Sequence, residues 1–217
     1  MSLTVVGIDL SSSEKRPTGF VVYDGRRWRG ELVYSDDEIV EKTLAASPDV
    51  VAIDAPLSFP PNKRGLRECE RALRAMGVHV YPPMMPSMAG LTERGVRLAD
   101  VLRDSLAHGE VIETYPGGAQ VVLGLPRKKE DLLGLMEGLV AMGVRLDAIA
   151  GESVRGKRDS GRRTGGVRNR PGVSHHIVDA ATCALVGLFY AEKKVLLVGD
   201  PDEGVLVLPD PFALGTM

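Results

Sequence analysis

Four acids stand at or near the ends of short apolar runs, and as a set they suggest chemistry that none suggests alone. Asp9 closes Val5-Val6-Gly7-Ile8, Asp54 closes Val50-Val51-Ala52-Ile53, Glu113 closes Val111-Ile112, and Asp179 sits in Ile177-Val178-Asp179-Ala180-Ala181. The first three runs read as buried parallel-type strands, because β-branched residues follow one another without polar alternation. The fourth reads as a helix. An acid at the end of a buried strand points into the crevice where open α/β sheets bind ligands. Acids sharing one crevice repel each other by roughly 1–4 kcal/mol per pair at contact, and a divalent cation such as Mg²⁺ or Mn²⁺ relieves that repulsion. Carboxylate sites of this kind hold hard cations and carry out phosphoryl chemistry. Asp9, Asp54, Glu113 and Asp179 are therefore the candidate metal ligands and catalytic acids. His176 stands three residues before Asp179, where its ring can share a helix face with the carboxylate and hold or activate water.

Each residue also has a plainer reading. Asp9 could cap the turn that follows it, with Ser11–Ser13. Asp54 precedes a proline-bearing turn. Glu113 could pair with an arginine such as Arg94 or Arg97. Asp179 lies past the turn capped by Ser174, and its inward-facing helix side carries Cys183, Val186 and Tyr190; an unpaired carboxylate there is costly, so a metal or an arginine must answer it. His176 could be a solvated first-turn histidine. The scattered histidines and two cysteines at no finger-like spacing speak against zinc.

The elements that must position these residues follow from the pattern. Strands are expected over 3–9, 18–23, 27–34, 49–54 and 110–114, with a hairpin turn at Asp24-Gly25. Helices are expected over 37–46, with Asp36 as N-cap, and over roughly 64–76, 92–107, 129–142 and 174–192. Tyr115-Pro116-Gly117-Gly118 reads as a turn. Residues 55–108 look like an insertion, and 194–208 like a C-terminal hairpin. The whole chain, 1–217, reads as one domain. Its Tyr81-Pro82-Pro83-Met84-Met85-Pro86-Ser87-Met88 stretch suits no regular element; core filling or a dimer contact is the expected role of Tyr81, Met84, Met85 and Met88, and a lid or base-stacking surface the alternative.

A formal charge of −2 excludes a general attraction to polyanions, so contact with nucleic acid must come from local patches. Residues 155–170 supply one: Arg155, Lys157, Arg158, Arg162, Arg163, Arg168 and Arg170 are set among glycines, with Asp159 the one acid. The segment precedes the helix of Asp179, which would place it over the crevice to contact a phosphate backbone; a solvated loop is the alternative. Lys63, Arg64 and Arg67, with Arg71 and Arg74, form a second patch, unless Glu68 and Glu70 neutralise it along a helix. No run is long enough for a membrane span, and no signal peptide is evident, so a cytoplasmic protein without membrane contact is expected.

Three strands, a helix, a strand, an insertion, a strand and closing helices is the order of the ribonuclease H-like sheet, in which the first and fourth strands are neighbours. Gly7-Ile8-Asp9-Leu10-Ser11, Ala52-Ile53-Asp54-Ala55-Pro56-Leu57-Ser58, Arg67-Glu68-Cys69-Glu70-Arg71, Glu113-Thr114-Tyr115-Pro116-Gly117 and Val178-Asp179-Ala180-Ala181 resemble the DUF429 family over roughly residues 3–190. The Asp-Ala-Ala segment is also similar to that of Holliday-junction resolvases. The resemblance implies an α/β fold with a ribonuclease H-like mixed five-stranded sheet flanked by helices, and a metal-dependent nuclease acting on DNA or RNA. Resolvase-like relatives are dimers, and the C-terminal hairpin offers an edge strand for a homodimer. Two other classes remain: a non-catalytic nucleic-acid or protein-binding module, and an actin-like or sugar-kinase phosphotransferase. The second is disfavoured because Leu10 and Ala55-Pro56 follow the acids where glycines are usual.

Overall fold

The computed structural model describes residues 2–147, 149 and 174–213. The five expected strands are present as β1 (Val5–Asp9), β2 (Thr18–Tyr23), β3 (Trp28–Val33), β4 (Val50–Asp54) and β5 (Glu110–Thr114). The C-terminal hairpin, β6 (Val195–Asp200) and β7 (Gly204–Pro209), does not stand apart: β7 pairs in parallel with β5, so the sheet has seven strands in the order β3-β2-β1-β4-β5-β7-β6. The expectation of five strands falls short for that reason. The hairpin's own apolar residues, Leu206, Val207 and Leu208, are core. β1, β4, β5 and β7 run parallel, and β2, β3 and β6 run against their neighbours.

Strand alternation divides the interior in two. Val5, Val50, Ala52 and Ile112 face one cluster, closed by the last helix. Val6, Ile8, Val51 and Ile53 face the other, where Ile39, Leu98 and Leu102 pack from α1 (Asp36–Ala46) and α3 (Ala89–Ser105). Ser35 rather than Asp36 caps α1, through Glu38 N–H. Asp36 is thereby left to pair with Arg94 and Arg97. Three further helices are α2 (Glu68–Ala75), α4 (Pro116–Val122) and α5 (Leu132–Ala141). The turn expected at 115–118 is the start of α4; Pro116 at the first helical position has no N–H to lose there.

The last helix, α6 (His175–Ala191), is buried without a break from Ile177 to Gly187. Asp179 is the one charge in that stretch, and an all-round apolar helix of this kind belongs inside the molecule. Two glycines let it lie directly on the sheet. A Cβ on Gly7 would stand 2.1 Å from the Ala180 carbonyl oxygen, and one on Gly19 would stand 2.1 Å from that of His176. This close approach brings the first turns of α6 against the end of β1. Among the described residues no helix is long and apolar enough to cross a membrane.

Candidate active site

Asp9 and Asp54 are partners in the parallel register of β1 and β4, side by side on the face that α6 covers. Asp9 does not cap its turn. Ser11 and Thr18 close that turn between themselves, with Ser11 N–H donating to Thr18 Oγ1 at 3.1 Å, and buried Arg94 donates to the Ser11 carbonyl at 2.8 Å. The Asp9 carboxylate turns instead to α6, where His176 Nδ1 lies 2.6 Å from Oδ2. Burial, reinforced by the charges of Asp9 and Asp179, holds the Asp54 carboxyl well above the usual carboxylate range.

Asp179 reaches the same crevice from α6. Its carboxyl is also raised, by burial and then by Asp9, against the opposing pull of Lys128. Lys128 Nζ forms its ion pair, and Gln120 of α4 donates to Oδ1 at 3.4 Å. Burial works against the charged form of Lys128, but Asp179, Asp9 and Asp54 more than offset it, and the ammonium is favoured. The His175 ring packs 4.1 Å from that of His176, and burial followed by the charges of His176 and Lys128 lowers its pKa. Beneath the crevice the Cys183 thiol is held well above its ordinary pKa by burial and by all three aspartates. The centre thus contains three carboxylates, one ammonium and one imidazole.

Glu113 is not brought into this group. It pairs in register with Ile53, so it points to the opposite face of the sheet from Asp54. There Arg67 donates to Oε2 at 2.8 Å and pairs with Oε1 at 2.5 Å, and the Leu57 N–H donates at 2.7 Å. The expectation of an arginine partner holds for a different arginine: Arg94 is engaged with Asp36, Ser11 and Tyr34. Burial raises the Glu113 pKa, while Arg67 and Leu57 oppose that rise.

Arg67 corrects a second expectation. It is 0 % exposed and unavailable to a phosphate backbone. It stands at the N-cap of α2, where its backbone N–H donates to Glu70 Oε2 at 2.7 Å and its guanidinium donates to Glu70 and to Ser58 Oγ, the latter at 2.7 Å. Lys63, over the Phe59 ring at 4.6 Å, and Arg64 remain at the surface. Among the described residues, the potential ligand atoms that all come within 4.8 Å of one another belong to Cys69, Glu70 and Glu113, not to the three aspartates. The Arg67 guanidinium bonds both of those glutamates, and burial pushes the Cys69 thiol up to about 12, so a cation is already built into that cluster. Arg155, Lys157, Arg158, Arg162, Arg163, Arg168 and Arg170 lie outside the described residues.

Residues 7–203 match the family model DUF429, described as a protein of unknown function. The chain belongs to the DUF429 family. No curated protein and no solved structure matches it. Two residues of this DUF429 site went unnoticed in the sequence. Gln120 falls in the helix that had been read as a turn. Lys128 lies outside any periodic segment, in Arg127-Lys128-Lys129. That run of three basic residues is the available signal, and Glu130-Asp131 directly after it mask it.

Proposed function

We propose that the protein is a metal-dependent phosphodiester hydrolase, a nuclease, in which Asp9, Asp54 and Asp179 hold Mg²⁺ or Mn²⁺. The observation that carries this reading is the convergence of three carboxylates from β1, β4 and α6 in one crevice with too little cationic charge to balance them. Hard divalent cations take carboxylate oxygens of this kind, and a metal would offset the repulsion among the three aspartates. When bound, such an ion activates water and stabilises the charge of a phosphoryl transition state. The strand order β3-β2-β1-β4-β5 supports a ribonuclease H-like core, with β7 and β6 extending it. His176 holds Asp9 through Nδ1, and its other ring nitrogen is the group proposed to take a proton from the attacking water. Lys128 is placed to meet negative charge on the non-bridging or leaving oxygens. DNA or RNA is the proposed partner, with the basic segment 155–170, Lys63 and Arg64 as backbone contacts that give affinity without sequence choice.

The test is cleavage of labelled single-stranded, duplex, hybrid and four-way-junction substrates with Mn²⁺ or Mg²⁺. Wild type is compared with Asp9→Asn and Asp54→Asn. Metal-dependent cleavage abolished by both substitutions is the expected result. Cleavage that survives Asp54→Asn would refute the assignment of the site.

A further inference from the structure

Beside Asp54 the crevice opens into a cavity of about 430 Å³, within the range of small-molecule sites, ~300–1,000 Å³. Leu73, Tyr81, Met88 and Leu91 form its apolar wall, and Thr114 and Tyr115 join it to the end of β5. Neither Tyr81 nor the neighbouring methionines fill the core, as their type had suggested. Tyr81 is 54 % exposed, and Met84, Met85 and Met88 are half-buried. The Tyr81 ring is braced edge-on by His79, with centroids 5.2 Å apart and planes at 75°. An exposed aromatic ring, held in place at the wall of an apolar cavity, has the properties of a stacking platform.

Acids and bases both line the cavity, but Glu70 and Glu113 are already bound by Arg67, which leaves Arg127 and Lys129 to meet a ligand's charge. Arg127 and Lys129 line it, while the residue between them, Lys128, reaches Asp179. Arg127 is fixed by donating to the Tyr115 hydroxyl at 3.2 Å. A single basic run therefore spans the cavity and the aspartate centre, as a ligand would if its anionic group lay at the aspartates and its apolar part in the cavity. Glu130, also in the lining, supplies an acceptor for N–H groups on the rim of a ring.

We propose that this cavity takes one unstacked nucleobase of the substrate, with the nucleotide's phosphate turned toward Arg127, Lys128 and the aspartates. The inference rests on the phosphodiesterase reading for the destiny of that phosphate and adds the base as a recognised group. A base taken singly implies a single-stranded, flipped or terminal nucleotide, since a base in a duplex cannot enter a cavity.

Binding without turnover tests it. Adenosine, cytidine, guanosine and uridine 5′-monophosphates and ribose 5-phosphate are titrated calorimetrically into the full-length protein with Ca²⁺. At least one mononucleotide should bind about tenfold or more tightly than ribose 5-phosphate, as expected for one base–aromatic stack. Tyr81→Ala, at an exposed position, should remove that advantage, and Tyr81→Phe should keep it. Equal binding of the nucleotides and ribose 5-phosphate, no binding of either, or an advantage indifferent to Tyr81→Ala would each overturn the inference. Metal-dependent cleavage without a base advantage defeats this inference alone. A base advantage that Tyr81→Ala abolishes, in a protein that cleaves no phosphodiester, defeats the hydrolase reading alone.

Discussion

Two carboxylate clusters contribute to the lining of one cavity, Glu70 and Glu113 from one and Asp54 from the other, and they have been resolved in opposite ways. Around Arg67, two glutamates meet a guanidinium that is itself fully buried, and the Leu57 N–H and Ser58 complete the network. Around Asp54, three aspartates meet only Lys128 and His176, and burial with their mutual repulsion raises the Asp54 carboxyl. The first cluster fixes the N-terminus of α2 to the end of β5 and has no unmet demand. The second is left short of positive charge. Buried acids alone do not mark a functional centre; a charge deficit that only something from outside can make good does.

The sharpest way to break the comparison is to remove one charged group from each side. Asp54→Asn should abolish metal-dependent cleavage, by about a thousandfold or more, and leave the metal-free protein at least as stable, because it deletes a repulsive contact. Arg67→Met should do the reverse. It strands Glu70 and Glu113 without their cation and should cost about 3–5 kcal/mol in chemical denaturation. Adding Glu70→Gln and Glu113→Gln to Arg67→Met should restore much of that loss, since an uncharged set has no ion to strand. If Glu113→Gln alone abolished Mn²⁺ binding while stability held, the division between the clusters would collapse.

The faces explain how much of this could be read from the residues alone. Asp9 and Asp54 were legible because long β-branched runs end on them and the strand order makes them neighbours. Asp179 was legible as an acid in an otherwise apolar helix. Glu113 misled because β5 is short and packed on both faces, so no polar alternation says which way each side chain points. Parity does: Ile112 faces α6, and Glu113 therefore cannot. Arg67 looked like one member of a basic helical patch, yet it is the capping residue of α2, and its burial depends on Glu113 arriving from 46 residues away. Lys128 reaches Asp179 from a segment with no periodicity, a contact that only tertiary structure creates.

The two clusters should answer alike to pH but differently to metal. Asp54 and Asp179 have carboxyls raised by burial and by each other's surroundings. A raised carboxyl contributes stability that is full below the unfolded pKa, about 3.9 for aspartate, and is lost as pH rises through the folded value. Glu113 shifts in the same direction. Without metal, melting temperature should therefore fall as pH rises from about 4 through these values. Mn²⁺ binds only the ionised aspartates, so its stabilising effect should grow with pH, reaching about 2.7 kcal/mol at a hundredfold excess over Kd. Thermal melts with EDTA and with Mn²⁺ across that window check this. Asp54→Asn should remove the metal-dependent gain, whereas Glu113→Gln should leave it in place. A gain that persists in Asp54→Asn would move the metal to other residues.

The smallest expected effect sharpens the comparison most. Arg67 belongs permanently to its cluster. If Lys128 is only a partial answer to the aspartates, one third exposed and shared among three of them, then its charge must compete with an incoming metal. Lys128→Met should then tighten Mn²⁺ binding several-fold, read by titration calorimetry, because the same carboxylates would face one fewer cation. The same substitution should weaken cleavage, since the metal cannot replace an ammonium aimed at the phosphoryl oxygens. Tighter metal binding with slower turnover is the signature of a lysine that works alongside the metal. Weaker binding of Mn²⁺ would instead mean that Lys128 holds Asp179 in its ligating position, much as Arg67 holds Glu113, and the contrast between the two clusters would narrow to the aspartate pair of β1 and β4.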